Sequence, residues 1–202
     1  MKTIMTITLC ALLLGAPAAS AAVEDPATLV ERAAGDVLDQ LAAREEEFRA
    51  RPELLEDVVR NDLLPLLDIE YAARLILGRE GRGASEAQLD AFADAMSGIL
   101  ISRYAEGLLE YRQREQLEVM PTRGELNERM TRVRTRVRLL NGNFVPVDYV
   151  FRLTDEGWKA FDVVIEGISY VTTYRNQLIP QVQESGLDAV TERLRRGELK
   201  LE

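Results

Sequence analysis

The segment Trp158–Leu178, WKAFDVVIEGISYVTTYRNQL, predicts a strand that continues directly into a helix. Its first half is rich in aromatic and β-branched residues, which favour strands, and a turn-forming run at residues 155–157 precedes it. Gly167 interrupts the strand, and from Ile168 onward the apolar residues recur at helical spacing. The segment therefore predicts a sheet whose last long strand leads into a helix.

Upstream of this junction, apolar and polar residues alternate with a period of two, as in half-buried strands. Asn141 and Gly142 separate two of these stretches and form a strong hairpin-turn signal. The alternation predicts about four antiparallel strands, each apolar on one face, at residues 117–119, 131–139, 145–153 and 158–165.

One predicted strand carries a row of arginines on its polar face: Arg132, Arg134, Arg136 and Arg138. We interpret this row as the solvated outer face of the sheet. Like charges at every second position repel, so acidic groups on neighbouring strands or on another protein are expected beside them. A docking surface for acidic partner proteins is the alternative interpretation.

Helical signals dominate the chain before residue 85. Asp25 and Pro26 predict an N-cap and a first helical residue, and apolar residues then recur at every fourth position. Further helices are expected from Pro52 to about Pro65 and from Asp68 to Gly78. The predicted fold class is therefore α+β: a helical N-terminal part, then a curved antiparallel sheet with long helices on its apolar face.

Ser85 and Gln88 form a capping box at the start of a long predicted helix, residues 86–112. Its apolar residues include Phe92, Met96 and Tyr104 and predict one broad apolar face. Two more helices, residues 168–184 and 187–196, are expected to close the chain.

The first 21 residues read as a secretory signal: Lys2 precedes an apolar run, and Ala19-Ser20-Ala21 is a small-residue cleavage site. We therefore expect a mature chain of residues 22–202 that forms a single unit. Its helical part covers residues 22–84, and the long helix, sheet and C-terminal helices cover residues 85–202. We expect the chain to be exported, with cleavage behind Ala21.

Composition limits the possible chemistry. The chain contains no histidine, and its one cysteine, Cys10, lies in the predicted signal. The usual nucleophilic triads and the common transition-metal ligand sets therefore cannot form in the mature protein. We expect no catalytic residue, no metal and no cofactor. The net charge of −9, which becomes −10 without the signal, argues against nucleic-acid binding.

Two segments resemble known family motifs. Residues 158–169 fit the pattern W-x-A-[FY]-D-x-x-x-E-G-[IV]-S, followed by Thr172-Thr173, which resembles the hallmark of the MlaC family. Residues 61–78, NDLLPLLDIEYAARLILG, are similar to that family's LLP…D…A…LG pattern. The resemblance covers nearly the whole chain after residue 25. Members of this family, also called the toluene-tolerance carrier family, are periplasmic phospholipid carriers of Gram-negative bacteria.

The resemblance implies a cavity between the helices and an NTF2-like sheet that holds the acyl tails of a phospholipid. Periodicity alone does not distinguish such a cavity from a filled core. The residues expected to line it are Leu66, Tyr71, Leu75, Phe92, Met96, Leu100, Tyr104, Val137, Tyr149, Phe151, Phe161, Val163, Ile165, Ile168 and Val171. The strand before Asp148 lacks a basic residue that the family often has there, so Arg152 or Arg175 is expected to contact the lipid phosphate.

The partners that the resemblance implies are an outer-membrane lipoprotein–porin complex and an inner-membrane ABC transporter with its substrate-binding hexamer. We expect a monomer that shuttles lipid between the two and maintains outer-membrane lipid asymmetry. Two alternatives remain open. One is a periplasmic chaperone or a binder of another apolar ligand, and the other is a hydrolase that uses the carboxylates Asp162 and Glu166 on an NTF2-like sheet.

Overall fold

A five-stranded antiparallel sheet follows a helical N-terminal half, which confirms the predicted α+β fold. The computed structural model describes residues 23–108, 117–121, 126–139, 141–199 and 201, so the predicted signal lies outside the described part. The strands follow one another across the sheet in chain order: β1 Leu117–Val119, β2 Thr131–Arg138, β3 Phe144–Thr154, β4 Gly157–Ile165 and β5 Ile168–Ser169.

The helices precede and follow the sheet. Their bounds are α1 Pro26–Ala43, α2 Glu45–Ala50, α3 Glu53–Val58, α4 Ile69–Leu77, α5 Glu86–Leu108, α6 Tyr170–Ser185 and α7 Leu187–Arg195. The predicted extension of α5 to Arg112 lies outside the described residues. Among the helices described, none is both long and apolar enough to cross a bilayer.

The predicted N-caps are confirmed. The Asp25 side chain accepts a hydrogen bond from the Ala27 backbone N–H at 2.8 Å. Ser85 and Gln88 bond reciprocally: the Ser85 N–H donates to the Gln88 side chain at 3.0 Å, and the Gln88 N–H donates to Ser85 Oγ at 3.3 Å. These bonds satisfy N–H groups that the first helical turn leaves without partners.

Between α3 and α4 the chain departs from regular α-helix. Val59–Leu63 forms a wider π-helical turn, and Leu64–Leu66 forms a tight 3₁₀ turn. Pro65 accounts for the change, because its ring excludes a continuing α-helix and it has no N–H to donate. The sequence predicted a regular helix as far as this proline. Irregular turns of this kind are frequent at functional sites.

Side chains of β2 alternate between the two faces of the sheet, as the sequence predicts. Val133 and Thr135 are buried, whereas Arg132, Arg134 and Arg136 are exposed. The register of β3 and β4 shifts between Val150 and Phe151, which marks a β-bulge. A bulge bends its strand and increases the local twist, so it contributes to the curvature of the sheet.

The sequence missed β5. Glu166 and Gly167 both have positive φ, 52° and 84°, and form a two-residue turn that folds Ile168–Ser169 back along β4. Positive φ at both central residues is the geometry of a type I′ hairpin. The helix therefore begins at Tyr170, with Ser169 as its N-cap: the Ser169 Oγ accepts a hydrogen bond from the Thr172 N–H at 3.1 Å.

The buried apolar residues of the described chain fall into separate clusters rather than one. The first joins α4, α5, α6 and α7 around Phe92 and Leu178. The second joins α1, α2, α3 and α5 around Phe48 and Leu55. The third joins the start of α1 to the sheet at Phe151 and Trp158. The long helix α5 packs against α3, α4 and α7, while α1, α4 and α6 contact the strands.

Asp68 links the helical part to the sheet through hydrogen bonds. Its side chain caps α4 by accepting from the Tyr71 N–H at 3.0 Å, and it accepts from the Arg152 guanidinium of β3 at 2.5 Å. Its own N–H donates to the Ala160 carbonyl of β4 at 2.8 Å. The carboxylate is only 10% exposed, so these bonds form in a partly dry environment where they are worth more than on the surface.

We predict that Asp68→Ala lowers the free energy of unfolding by about 2 kcal/mol, because it removes a helix cap and leaves Arg152 without its carboxylate. Glu70→Ala, an exposed change in the first turn of the same helix, is the matched control. It should stay within about 0.5 kcal/mol of the unmodified chain. Denaturant unfolding measures the free energy of unfolding of both variants. An equal loss in the two variants would contradict the role of Asp68 in linking the helices to the sheet.

Candidate functional site: an apolar cavity between helices and sheet

The separate clusters surround a cavity of about 420 Å³. Protein interiors normally leave few voids larger than a water molecule, so a space of this size is not a packing defect. It falls within the roughly 300–1,000 Å³ range of ligand pockets. The molecule therefore has an internal space of the size that a small-molecule ligand requires.

The helical wall of the cavity comes from α1, the irregular turns, α4, α5 and α6. Helix α1 contributes along most of its length, through Leu29, Val30, Ala33, Ala34, Val37, Leu38 and Leu41. The irregular turns add Val59, Leu63, Leu64, Leu66 and Leu67. The remaining helices add Ile69, Ala72, Ala73, Ile76, Met96, Leu100, Leu108, Tyr170, Val171 and Tyr174.

The opposite wall is one face of the sheet. The residues that face the cavity come from β1, the end of β2, every second position of β3, where side chains alternate between the two faces, and β4. They are Leu117, Val137, Val147, Tyr149, Phe151, Ala160, Phe161, Asp162, Val163 and Ile165. Around the bulge, consecutive residues of β4 reach the wall.

Asp162 is the one charged residue among the described residues of the wall. Its oxygens accept from Ser169 Oγ at 2.6 Å and from the Val171 N–H at 3.0 Å, which ties the start of α6 to β4. Glu166 lies exposed in the turn between β4 and β5. This arrangement gives Asp162 a structural role and does not pair it with Glu166 inside the cavity.

Ten of the expected lining residues lie on the wall: Leu66, Met96, Leu100, Val137, Tyr149, Phe151, Phe161, Val163, Ile165 and Val171. Tyr71 is not on the wall, and its ring packs edge to face against the ring of Phe161, with the two centroids 5.1 Å apart. Phe92 is fully buried in the helical core, and Leu75 packs against that core. The side chain of Tyr104 lies outside the described part of the structure.

Ile168, which the family resemblance placed beside the pocket, is 62% exposed and is not on the wall. It lies on β5, the outermost strand, opposite Ile165. The wall ends with Ile165, so Ile168 lies at the sheet edge beyond it. The turn at Glu166 and Gly167, which the sequence did not predict, produces this placement.

The two arginines expected at the phosphate bond to the protein itself. Arg152 pairs with Asp68 and stacks over the Tyr71 ring, with its guanidinium carbon 4.4 Å from the ring centroid. Arg175 donates from Nε to the Leu75 carbonyl at 2.9 Å, near the end of α4. Neither residue is on the cavity wall.

The contribution of α1 to the site was not predicted from the sequence, and of the irregular turns only Leu66 was expected on the wall. The signal in α1 was visible, since Leu29, Ala33, Val37 and Leu41 recur at every fourth position and all face the cavity. Recurrence of this kind shows that one side of a helix is apolar. It does not show whether that side meets other side chains or an open space.

The fold and the site define an α+β protein with an apolar internal cavity between helices and sheet. The same fold occurs in a phospholipid-binding protein from Ralstonia solanacearum, solved in complex with a phospholipid. That structure matches 85% of this chain and 99% of its own, with a TM-score of 0.73 and 24% sequence identity.

The family model described as MlaC protein matches residues 31–196, and the chain belongs to this family. Two curated relatives are each 26% identical to the chain. The intermembrane phospholipid transport system binding protein MlaC of Haemophilus influenzae aligns over 96% of this chain and 91% of its own length. The toluene tolerance protein ttg2D of Pseudomonas putida aligns over 93% of this chain and 87% of its own length.

Ile165 and Ile168 offer a matched test of the cavity wall, because they pair directly across β4 and β5. A carboxylate in place of Ile165 would face the cavity. An apolar molecule that enters would remove hydration water from this carboxylate, which costs free energy. We predict that Ile165→Glu weakens binding of an environment-sensitive apolar dye about tenfold or more. Ile168→Glu should bind the dye like the unmodified chain. Equal weakening in both variants would contradict the wall as described.

Proposed function

We propose that this protein is a phospholipid carrier that encloses the acyl tails of its lipid in the cavity. The observation that carries the proposal is the size of the cavity together with its almost entirely apolar wall. The names of the curated relatives, a phospholipid transport binding protein and a toluene tolerance protein, support it. The residues expected to contact the tails are those of the wall, including Met96, Tyr149, Phe151, Phe161 and Val163.

The free energy of tail transfer explains why a carrier needs such an enclosure. At about 0.8 kcal/mol for each buried CH₂, the tails of a diacyl lipid represent on the order of 25 kcal/mol. A shallow surface groove would leave much of that apolar area in water. A cavity with walls on both the helical and the sheet side removes far more of it.

An occupant also stabilises the protein. Side chains that line an unfilled space lack packing partners on one side and lose the dispersion contacts that a filled interior would give them. Tails in the cavity would restore the missing contacts, which gives the protein and the lipid a mutual stabilisation.

We propose that the headgroup stays outside the cavity. Among the described residues, the wall offers the phosphate no cation, and its one carboxylate, Asp162, already accepts two hydrogen bonds. A phosphate contact with Arg152 would have to displace Asp68, and one with Arg175 would have to displace the Leu75 carbonyl. Recognition through tails alone predicts that lipids with different headgroups bind comparably.

The carrier would work in the periplasm as a single unit of residues 22–202, after removal of the signal peptide. There it would exchange lipid with an outer-membrane lipoprotein–porin complex and with an inner-membrane ABC transporter and its substrate-binding hexamer. This route would maintain lipid asymmetry of the outer membrane. The carrier itself would need no catalytic residue, since it moves the lipid unchanged.

Native mass spectrometry of protein purified without detergent tests the proposal. The spectrum should contain the chain plus the mass of a diacyl glycerophospholipid. Ala34→Trp, which fills part of the cavity from α1, should lower the lipid-bound fraction. Ala42→Trp, on the exposed side of the same helix, should keep it.

Recovery of a different apolar ligand, with no glycerophospholipid, would contradict the carrier and favour the alternative of another apolar ligand. Equal lipid loading in both tryptophan variants would contradict the placement of the tails.

A further inference from the structure

The outer face of the sheet carries a concentration of positive charge on an acidic chain. The arginine row, which we define as Arg132, Arg134, Arg136 and Arg138, runs along β2 on the face away from the cavity. The carboxylates facing this side from the paired strands β1 and β3 are Glu118 and Asp148. Among the described residues of β1, β2 and β3 that face this side, arginines therefore outnumber carboxylates, although the whole chain has a net charge of −9.

Three of the four guanidinium groups of the row contact neighbouring side chains. Arg132 lies 3.2 Å from Asp148, and Arg136 pairs with Glu118. Arg136 and Arg138 stack over the Phe144 ring from 4.9 Å and 5.1 Å. Phe144 remains 39% exposed between them. Aromatic residues and arginines are enriched among the few residues that contribute most of the binding energy in protein interfaces.

We infer that the arginine row is a docking surface for an acidic segment of a partner protein. The inference rests on the proposed carrier function, because a carrier must contact the proteins that deliver and accept its lipid. The ion pairs within the row do not oppose docking. Both side chains of the Arg136–Glu118 pair are exposed, 47% and 37%, and such pairs contribute little to stability. In the other pair, Arg132 is itself 48% exposed, although Asp148 is half-buried.

The spacing of the row fits an acidic helix. Residues at every second position of a strand lie about 7 Å apart, so the row spans about 20 Å. Glutamates at every fourth position of a helix lie about 6 Å apart along one side. A helix of about 14 residues would therefore present its carboxylates at nearly the spacing of the guanidinium groups. Arginine binds carboxylates in a planar, two-bond geometry, which favours it at such contacts.

A discrete acidic segment fits the charge distribution better than an anionic membrane does. A membrane extends its negative charge far beyond the row, so the net charge of −9 would oppose its approach. A short segment lying on the row experiences mainly charges within the Debye length of about 8–10 Å. The row therefore attracts a local acidic partner while the rest of the chain repels a broad anionic surface.

The experiment uses the full chain and a helical peptide of about 16 residues with glutamates at every fourth position. A peptide with glutamine at those positions is the uncharged probe. We expect the glutamate peptide to bind, and added salt to weaken the binding. The double variant R134Q/R138Q should bind it about tenfold more weakly, while keeping its melting temperature and its lipid content. The matched control R79Q/R82Q removes two exposed arginines that lie beyond the sheet, after α4.

Equal binding of the peptide by all three proteins would overturn the inference, and so would binding of neither peptide by the unmodified chain. Vesicles of one-third phosphatidylglycerol and two-thirds phosphatidylcholine test the competing surface. If they bind through Arg134 and Arg138 and the peptide does not displace them, the row is a membrane contact and the inference is wrong. The lipid content of the purified protein distinguishes failure of the docking surface from failure of the proposed carrier function. If the protein contains phospholipid but does not bind the peptide, only the docking surface is wrong.

Discussion

The cavity depends on polar contacts that join its two walls without filling the space between them. Asp68 bonds to α4 and β3, while its N–H bonds to β4. Asp162 bonds Ser169 and the first turn of α6. Apolar walls facing each other would otherwise gain by closing, since burial of apolar area favours collapse. Two carboxylates that fix the position of helices against the sheet thus allow the interior to stay open.

The same strands serve two sides of the molecule. Because side chains alternate, β2 and β3 direct Val137, Tyr149 and Phe151 toward the cavity and the arginine row away from it. A partner that docks on the row would therefore contact the outer side of the cavity wall.

Much of the fold was predictable because local signals agree with the tertiary structure. The caps at Asp25 and Ser85 and the alternation in β2 were all visible as spacing. The strand β5 was not, since two positive-φ residues at Glu166 and Gly167 reverse the chain within a stretch that reads as helix start.

The site was harder to predict, because an apolar residue that lines an empty space has the same spacing as one that packs in a core. Phe92 and Met96 belong to one predicted apolar face, yet Phe92 is buried between helices whereas Met96 reaches the cavity. The arginines Arg152 and Arg175 pair with groups distant in sequence that no local pattern reveals.

The central claim is that the cavity holds the acyl tails of a phospholipid, and the fluorescence of Trp158 tests it most directly. Trp158 is the single tryptophan, and it packs in the same cluster as the cavity residues Leu29, Phe151 and Ala160. A bound phospholipid that carries bromine on its acyl tail should quench the Trp158 fluorescence strongly. A phospholipid that carries bromine on its headgroup should change the fluorescence little. Strong quenching by the headgroup bromine alone would contradict the account.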